Sequence, residues 1–111
     1  MKIFKTLLFL LILSTFPLFS QVKWHTNFDE ALEQAKREDK PLILNFSGSD
    51  WCGWCMKLDK NILNTPEFEE SIGDDFVFVT VDFPARKPQS EELMIQNHAL
   101  KKKYNLSLIH I

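Results

Sequence analysis

One apolar run, residues 76–81 with the sequence FVFVTV, constrains the fold of this chain more than any other feature. Successive side chains of a strand point to opposite sides, so an extended run of this composition is apolar on both faces. Such a strand is typical of the centre of a sheet that helices cover on both sides. The flanking segments are therefore expected to supply helices and further strands.

Helical patterns alternate with apolar runs along the rest of the chain. Helix-capping residues precede three helical segments, and two short apolar runs separate the elements. This alternation predicts an α/β fold with right-handed crossovers. The expected helices are 28–40 capped by Asn27, 66–72 begun by Thr65 and Pro66, and 91–104 capped by Ser90, and the expected strands are 22–24 and 42–46.

The only two cysteines of the chain lie in residues 51–55, with the sequence WCGWC, directly after an expected strand. Cys55, Leu58 and Ile62 share one helical face, which places the motif at the first turn of a helix. Disulfide exchange needs an attacking thiolate and a second thiol within reach. The helix dipole and free backbone N–H groups favour a thiolate at Cys52, whereas Cys55 faces inward. We therefore assign Cys52 as the nucleophile and Cys55 as the resolving thiol.

Other interpretations of the two cysteines are weaker. Structural zinc takes four ligands, and His25, His98 and His110 show no matching pair spacing. A purely structural disulfide is a weak explanation, because a bridge across one helical turn restricts little chain and so adds little stability. Two buried free thiols are also a weak explanation, because the leader described below predicts export, and exported proteins seldom keep buried thiols reduced. A binding module with a structural disulfide and a metal-handling dithiol stay as alternatives, although we expect no metal and no cofactor.

Residues 46–55, with the sequence FSGSDWCGWC, resemble the active-site segment of the thioredoxin superfamily, in particular its exported bacterial thioredoxin-like branch. The resemblance covers roughly residues 22–106. It implies a thioredoxin-like fold and a thiol-disulfide oxidoreductase that reduces or reshuffles protein disulfides. The implied partners are protein disulfide substrates and a thiol-disulfide electron donor or acceptor.

The chain departs from this family in three places. Trp54 stands where thioredoxins have proline, which leaves the direction of electron flow open among reductant, oxidant and isomerase. Asn45 stands at the strand position of a buried acid, so water or an acid such as Asp50 is expected to manage the resolving thiol's proton. After Leu106 the expected β-hairpin and last helix are missing, so residues 21–111 are expected to form a C-terminally truncated domain.

Five residues beside the cysteines are candidates for substrate binding or for tuning of the thiols. Trp51 and Trp54 can dock an apolar segment of a substrate, or, for Trp51, support the sheet edge. Asp50 and Lys57 are close enough to influence Cys52, or are ordinary surface charges. The full set of candidates is Asp50, Trp51, Gly53, Trp54 and Lys57.

The first twenty residues have the layout of a secretory signal peptide, with cleavage expected between Ser20 and Gln21. Without Lys2 and Lys5 the 13 basic and 15 acidic residues become 11 and 15, a formal charge of −4. That balance argues against nucleic acid as a partner. We expect a periplasmic or secreted protein with no stable membrane insertion after cleavage.

Overall fold

Three parallel strands form the sheet in the computed structural model, which describes residues 22–104. They are β1 (Trp24–His25), β2 (Leu42–Ser47) and β3 (Val77–Asp82), in the spatial order β1-β3-β2. The apolar run 76–81 therefore predicted the central strand correctly, one residue early. Leu42 pairs with Val77 at one end of the β2–β3 ladder, and Ser47 pairs with Asp82 at the other.

Within residues 22–104, three α-helices and one π-helical turn connect these strands, and a fourth α-helix follows β3. The N-caps Asn27, Thr65 and Ser90 each accept the backbone N–H of the residue three positions later, which confirms the predicted helix starts. The helices are α1 (Phe28–Glu38), α2 (Gly53–Leu58), α3 (Pro66–Ile72) and α4 (Glu91–Lys103), and the π turn is Asp59–Leu63, between α2 and α3.

One face of the sheet forms the apolar core with α1 and α4. Val79 and Val81 of the central strand are fully buried there, against Ala31 of α1 and Leu100 of α4. The other members of this cluster are Ala35 and Val77, with Phe28, Leu42, Leu44, Phe46 and Phe83 packed around them. Parallel strands covered by helices confirm the α/β fold class expected from the sequence.

The opposite face of the sheet is aromatic near the start of β3 and polar at the carboxyl ends of β2 and β3. Near the start of β3, Phe78 packs against Phe68 of α3, with ring centroids 5.6 Å apart, and against Trp24 at 4.9 Å. At the carboxyl ends of β2 and β3 the register pairs on this face are all polar. We call these four residues the polar strand ends: Asn45 with Thr80, and Ser47 with Asp82.

The structure differs from the expectations at several element ends and on one helix face, and other expectations lie outside its range. Helices α1 and α4 end at Glu38 and Lys103 rather than at residues 40 and 104, and β2 ends at Ser47 rather than at residue 46. Strand β1 begins at Trp24 rather than at residue 22. Leu58 and Ile62 are exposed, so the helical face that they share with Cys55 is buried only at Cys55. The expected leader with its Ser20–Gln21 cleavage point, and the stretch from 105 to 111, lie outside the described residues. No helix between residues 22 and 104 is long and apolar enough to span a bilayer.

Candidate functional site

Cys52 and Cys55 lie at the amino-terminal end of α2 and are joined as a disulfide, with Cα atoms 5.2 Å apart. Cys52 is the N-cap: its backbone is extended, and its sulfur accepts the backbone N–H of Cys55 at 3.3 Å. Cys55 faces inward and is only 8% exposed, whereas Cys52 is half-buried. A sulfur at a helix N-cap receives both a direct hydrogen bond and the positive end of the helix dipole.

The loop before the cysteines is tightly turned at Gly48. Its carbonyl accepts the backbone N–H of Cys52 at 2.8 Å and that of Trp51 at 3.2 Å. A side chain at position 48 would overlap the indole of Trp51. That indole donates its Nε1–H to the carbonyl of Phe83 at 2.7 Å. Trp51 therefore supports the loop, while 41% of its surface remains exposed.

Asp82, at the end of β3, holds the same loop from the sheet side. Its carboxylate accepts the Ser49 backbone N–H at 2.8 Å and the Ser49 hydroxyl at 2.6 Å. Its carbonyl accepts from Gln89 and from the buried Asn97. Asp82 was not among the site residues predicted from the sequence. An acid at the carboxyl end of the central strand was the available signal, because that edge of the sheet also carries the loop after β2.

Asp50 ties the cysteine loop to the segment after β3. Its carboxylate accepts three backbone N–H groups, those of Ala85, Arg86 and Lys87, at 2.7–2.8 Å. The hydrogen bonds from Ala85 and Lys87, followed by that from Arg86, lower the pKa of Asp50 to about 2. A carboxylate this engaged is a poor proton acceptor for Cys55, so the structure argues against the role expected for Asp50.

Trp54 and Lys57 lie together on the outer side of α2. Trp54 is 80% exposed, and the Lys57 ammonium lies 4.7 Å from the centroid of its ring. This distance is typical of a cation–π contact. Gly53, between them and Cys52, is exposed, and a methyl group added there would meet no atom within 4 Å.

An open apolar cleft of about 450 Å³ lies beside Trp51. His98 of α4 contributes to its wall and packs its ring edge-on to Phe83, with centroids 5.3 Å apart. The remaining lining residues are Pro84, Ala85, Gln89 and Met94. Across residues 22–104, no three His, Cys, Asp or Glu side chains gather in a way that could hold a metal ion.

One further acid lies on the helix side of the site. Asp59 follows Cys55 by one turn, and its backbone N–H donates to the Cys55 carbonyl. Burial, and next the negative charge of Asp82, raise the pKa of Asp59 above its ordinary value. On the sheet, the hydroxyl of Ser47, which pairs with Asp82, is buried and has no hydrogen-bond partner within the described part of the chain.

Comparison with known proteins gives a consistent result. The family model described as thioredoxin-like matches residues 23–105. The thioredoxin-related protein DsbJ of Chlamydia pneumoniae is 38% identical over 112 residues, which cover 96% of this chain and 32% of DsbJ. The disulfide bond reductase DsbH of the same organism is 40% identical over 88 residues, which cover 79% of this chain and 52% of DsbH.

A solved structure named DsbH oxidoreductase superimposes with a TM-score of 0.75 at 38% identity, and covers 87% of this chain and 67% of that one. This chain thus spans about a third to a half of the length of the two curated relatives. The fold, the cysteine spacing and these similarities agree, and the chain belongs to the thioredoxin-like family.

Proposed function

We propose that this chain reduces disulfide bonds of other proteins through Cys52 and Cys55. The observation that carries the proposal is the placement of Cys52 as the N-cap of α2, half-buried, with its sulfur accepting an N–H and a second cysteine one turn away. The attacking form of a cysteine is its thiolate, and a helix N-terminus stabilises it. A merely structural bridge has no need of this arrangement.

The reaction starts from the dithiol. The Cys52 thiolate attacks one sulfur of a partner disulfide, the partner's S–S bond breaks, and one partner thiolate leaves. Cys55, as a thiolate, then attacks the Cys52 sulfur and releases the second partner thiolate. The partner gains two electrons, and the chain ends as the Cys52–Cys55 disulfide. Trp54, 80% exposed beside the cysteines, offers an apolar surface to the arriving polypeptide.

The direction of electron flow is proposed as reduction. The relative that is 40% identical over 88 residues carries the name disulfide bond reductase. We expect the Cys52–Cys55 couple to have a potential nearer the −270 mV of thioredoxin than the roughly −120 mV of a strong protein oxidant. Equilibration with glutathione or with thioredoxin measures this potential directly. A value near −120 mV would reverse the proposed direction.

Export completes the proposal. A basic start, an apolar core and a small residue before the expected cleavage point support secretion to the periplasm or beyond. Fractionation of cells that produce the full chain, with mass measurement of the product, tests this step. The proposal predicts an amino terminus at Gln21 in the exported fraction.

Trapping of mixed disulfides tests the chemistry. In Cys55→Ser the second step is blocked, so partner proteins should accumulate as species that are covalently linked to Cys52 and sensitive to reductant. The matched control is Cys52→Ser, in which the remaining buried thiol should trap nothing. If both variants behave alike while partner binding persists, the chain is a binding module with a structural disulfide.

A further inference from the structure

The second step of disulfide exchange needs a proton acceptor. Cys55 is 8% exposed, and burial disfavours a thiolate. Its thiol proton must therefore move to a nearby base before its sulfur can attack. Two titratable groups close to the motif are already engaged. Asp50 is held by three N–H donors, and Lys57 is a cation placed over Trp54.

Asp59 lies where such a base is needed. It follows Cys55 by four residues on a continuous helix, and its N–H donates to the Cys55 carbonyl. Residues with this spacing have Cβ atoms about 5–6 Å apart on the same face. Helical side chains also lean towards the preceding turn, which for Asp59 is the turn that contains Cys55.

The helix changes its geometry at this residue. Asp59 begins the π turn, in which the Asn64 backbone N–H donates to the Asp59 carbonyl at 2.8 Å. Single π turns inside helices occur frequently at functional sites. The turn is a second, independent feature that distinguishes Asp59 from the other acids of the chain.

The surroundings of Asp59 favour reversible protonation. The polar strand ends lie on the sheet face against which α3 packs, and Asp82 among them acts on Asp59 with its negative charge. The Ser47 hydroxyl of the same patch is buried and has no hydrogen-bond partner within residues 22–104. Helix α3, which also contacts the π turn, carries Glu67, Glu69 and Glu70, and none of these perturbs Asp59.

Resting on the proposed function, we propose that Asp59 is the proton acceptor for the Cys55 thiol, directly or through one water. In the mixed disulfide, Cys55–SH transfers its proton to the Asp59 carboxylate. The Cys55 thiolate attacks the Cys52 sulfur, the bond between Cys52 and the partner sulfur breaks, and the partner thiolate leaves with the electron pair. The proton on Asp59 then passes to that thiolate or to solvent, so atoms and electrons balance.

The test is the rate at which a mixed disulfide resolves in Asp59→Asn. The full chain, reduced and mixed with a small disulfide probe such as 5,5′-dithiobis(2-nitrobenzoate), is followed by stopped flow between pH 5 and pH 9. We expect resolution to be about 100-fold slower at pH 7 in the variant, with the two proteins converging near pH 9 as unassisted thiol ionisation takes over. Asp75→Asn, an exposed acid after α3, is the matched control and should leave the rate unchanged.

The pH dependence separates a proton acceptor from a structural residue. In the wild-type protein the rate should rise with pH through the raised pKa of Asp59, because only its carboxylate accepts a proton. Asp59→Asn should lose that rise, and Asp59→Glu should restore it at least in part. An unchanged profile in Asp59→Asn would overturn the proposal.

If the Asp59 variants do not fold, a measurement on the unmodified protein still tests the proposal. Carbon-detected NMR titration of Asp59 in the disulfide and dithiol forms should give two different pKa values, because a proton shared with Cys55 exists only in the dithiol. Identical values would count against the role of Asp59. Failure of the wild-type protein to form any mixed disulfide would instead refute the proposed function, so the two failures are distinguishable.

Discussion

At the scale of single residues, the cysteine loop is held by carboxylates whose energetics depend on pH. Asp50 has a folded-state pKa of about 2, below the ordinary 3.8, because backbone N–H groups bind its charged form. Because its pKa is lower in the folded than in the unfolded chain, the Asp50 carboxylate stabilises the fold above pH 3.8. This contribution is lost as the pH falls towards 2. Asp50 therefore links the stability of the loop to acid.

Asp50→Ala tests that link. We expect the wild type to melt at a higher temperature than the variant at pH 6, and the difference to shrink between pH 4 and pH 2 as the carboxylate protonates. Circular dichroism melting curves across this range provide the measurement. A difference that stays constant with pH would show that packing, rather than the charge of Asp50, accounts for it.

Two glycines of the same segment form a matched pair. A methyl group at Gly48 overlaps the Trp51 indole, whereas one at Gly53 meets nothing within 4 Å. We expect Gly48→Ala to lower the free energy of unfolding by about 1–3 kcal/mol, the usual cost of overpacking, because Trp51 must leave its hydrogen bond to Phe83. Gly53→Ala should be neutral or stabilising by up to about 1 kcal/mol, since alanine is the better helix former. Urea unfolding of both variants decides, and equal effects would contradict this account.

At the scale of elements, the central strand β3 holds the sheet together. Val79 is fully buried between the two neighbouring strands and against α1 and α4. Val79→Ala should cost about 2 kcal/mol of unfolding free energy, from lost burial and a small cavity. Ile95→Ala on the exposed side of α4, where Ile95 is 64% exposed, should change it by less than about 0.5 kcal/mol. A comparable loss in both would indicate that α4 buries more surface than the structure shows.

The sequence predicted the elements where the signal is local. Asn27, Thr65 and Ser90 cap helices through their own side chains, so three helix starts follow from short patterns. The boundary of β1 was misplaced because a two-residue strand carries little periodicity and depends on pairing with β3. The π turn was not anticipated, since Leu58 and Ile62 fit an ordinary helix equally well.

In the candidate site, too, the features set by local sequence could be predicted, and those set by long-range contacts could not. The cysteine positions and the helix that carries them follow from the WCGWC spacing, and the structure places them as expected. The hydrogen bonds of Asp82 to Ser49, and of Asp50 to residues 85–87, join segments more than thirty residues apart. Such contacts arise from the parallel register of β2 and β3, which no local pattern specifies.

At the scale of the whole molecule, the disulfide should contribute little to global stability. The bridge closes a loop with a sequence separation of 3, for which chain entropy gives no more than about 2 kcal/mol. We expect guanidinium unfolding of the oxidised and reduced chains to differ by no more than this. This difference in unfolding free energy also sets how far the redox potential of the folded cysteine pair departs from that of the unfolded pair, at about 30 mV per 1.4 kcal/mol. A gap above about 5 kcal/mol would indicate a structural role for the bridge.

The Cys52 sulfur has two roles, so its redox state is expected to affect a backbone hydrogen bond. The atom that forms and breaks bonds with partners also accepts the amide hydrogen at the start of α2. Oxidation, reduction and partner attachment each alter the charge on that atom, and the strength with which it holds the Cys55 amide changes accordingly. The hydrogen-exchange rate of the Cys55 backbone amide should therefore differ between the redox states and report on them without an added label.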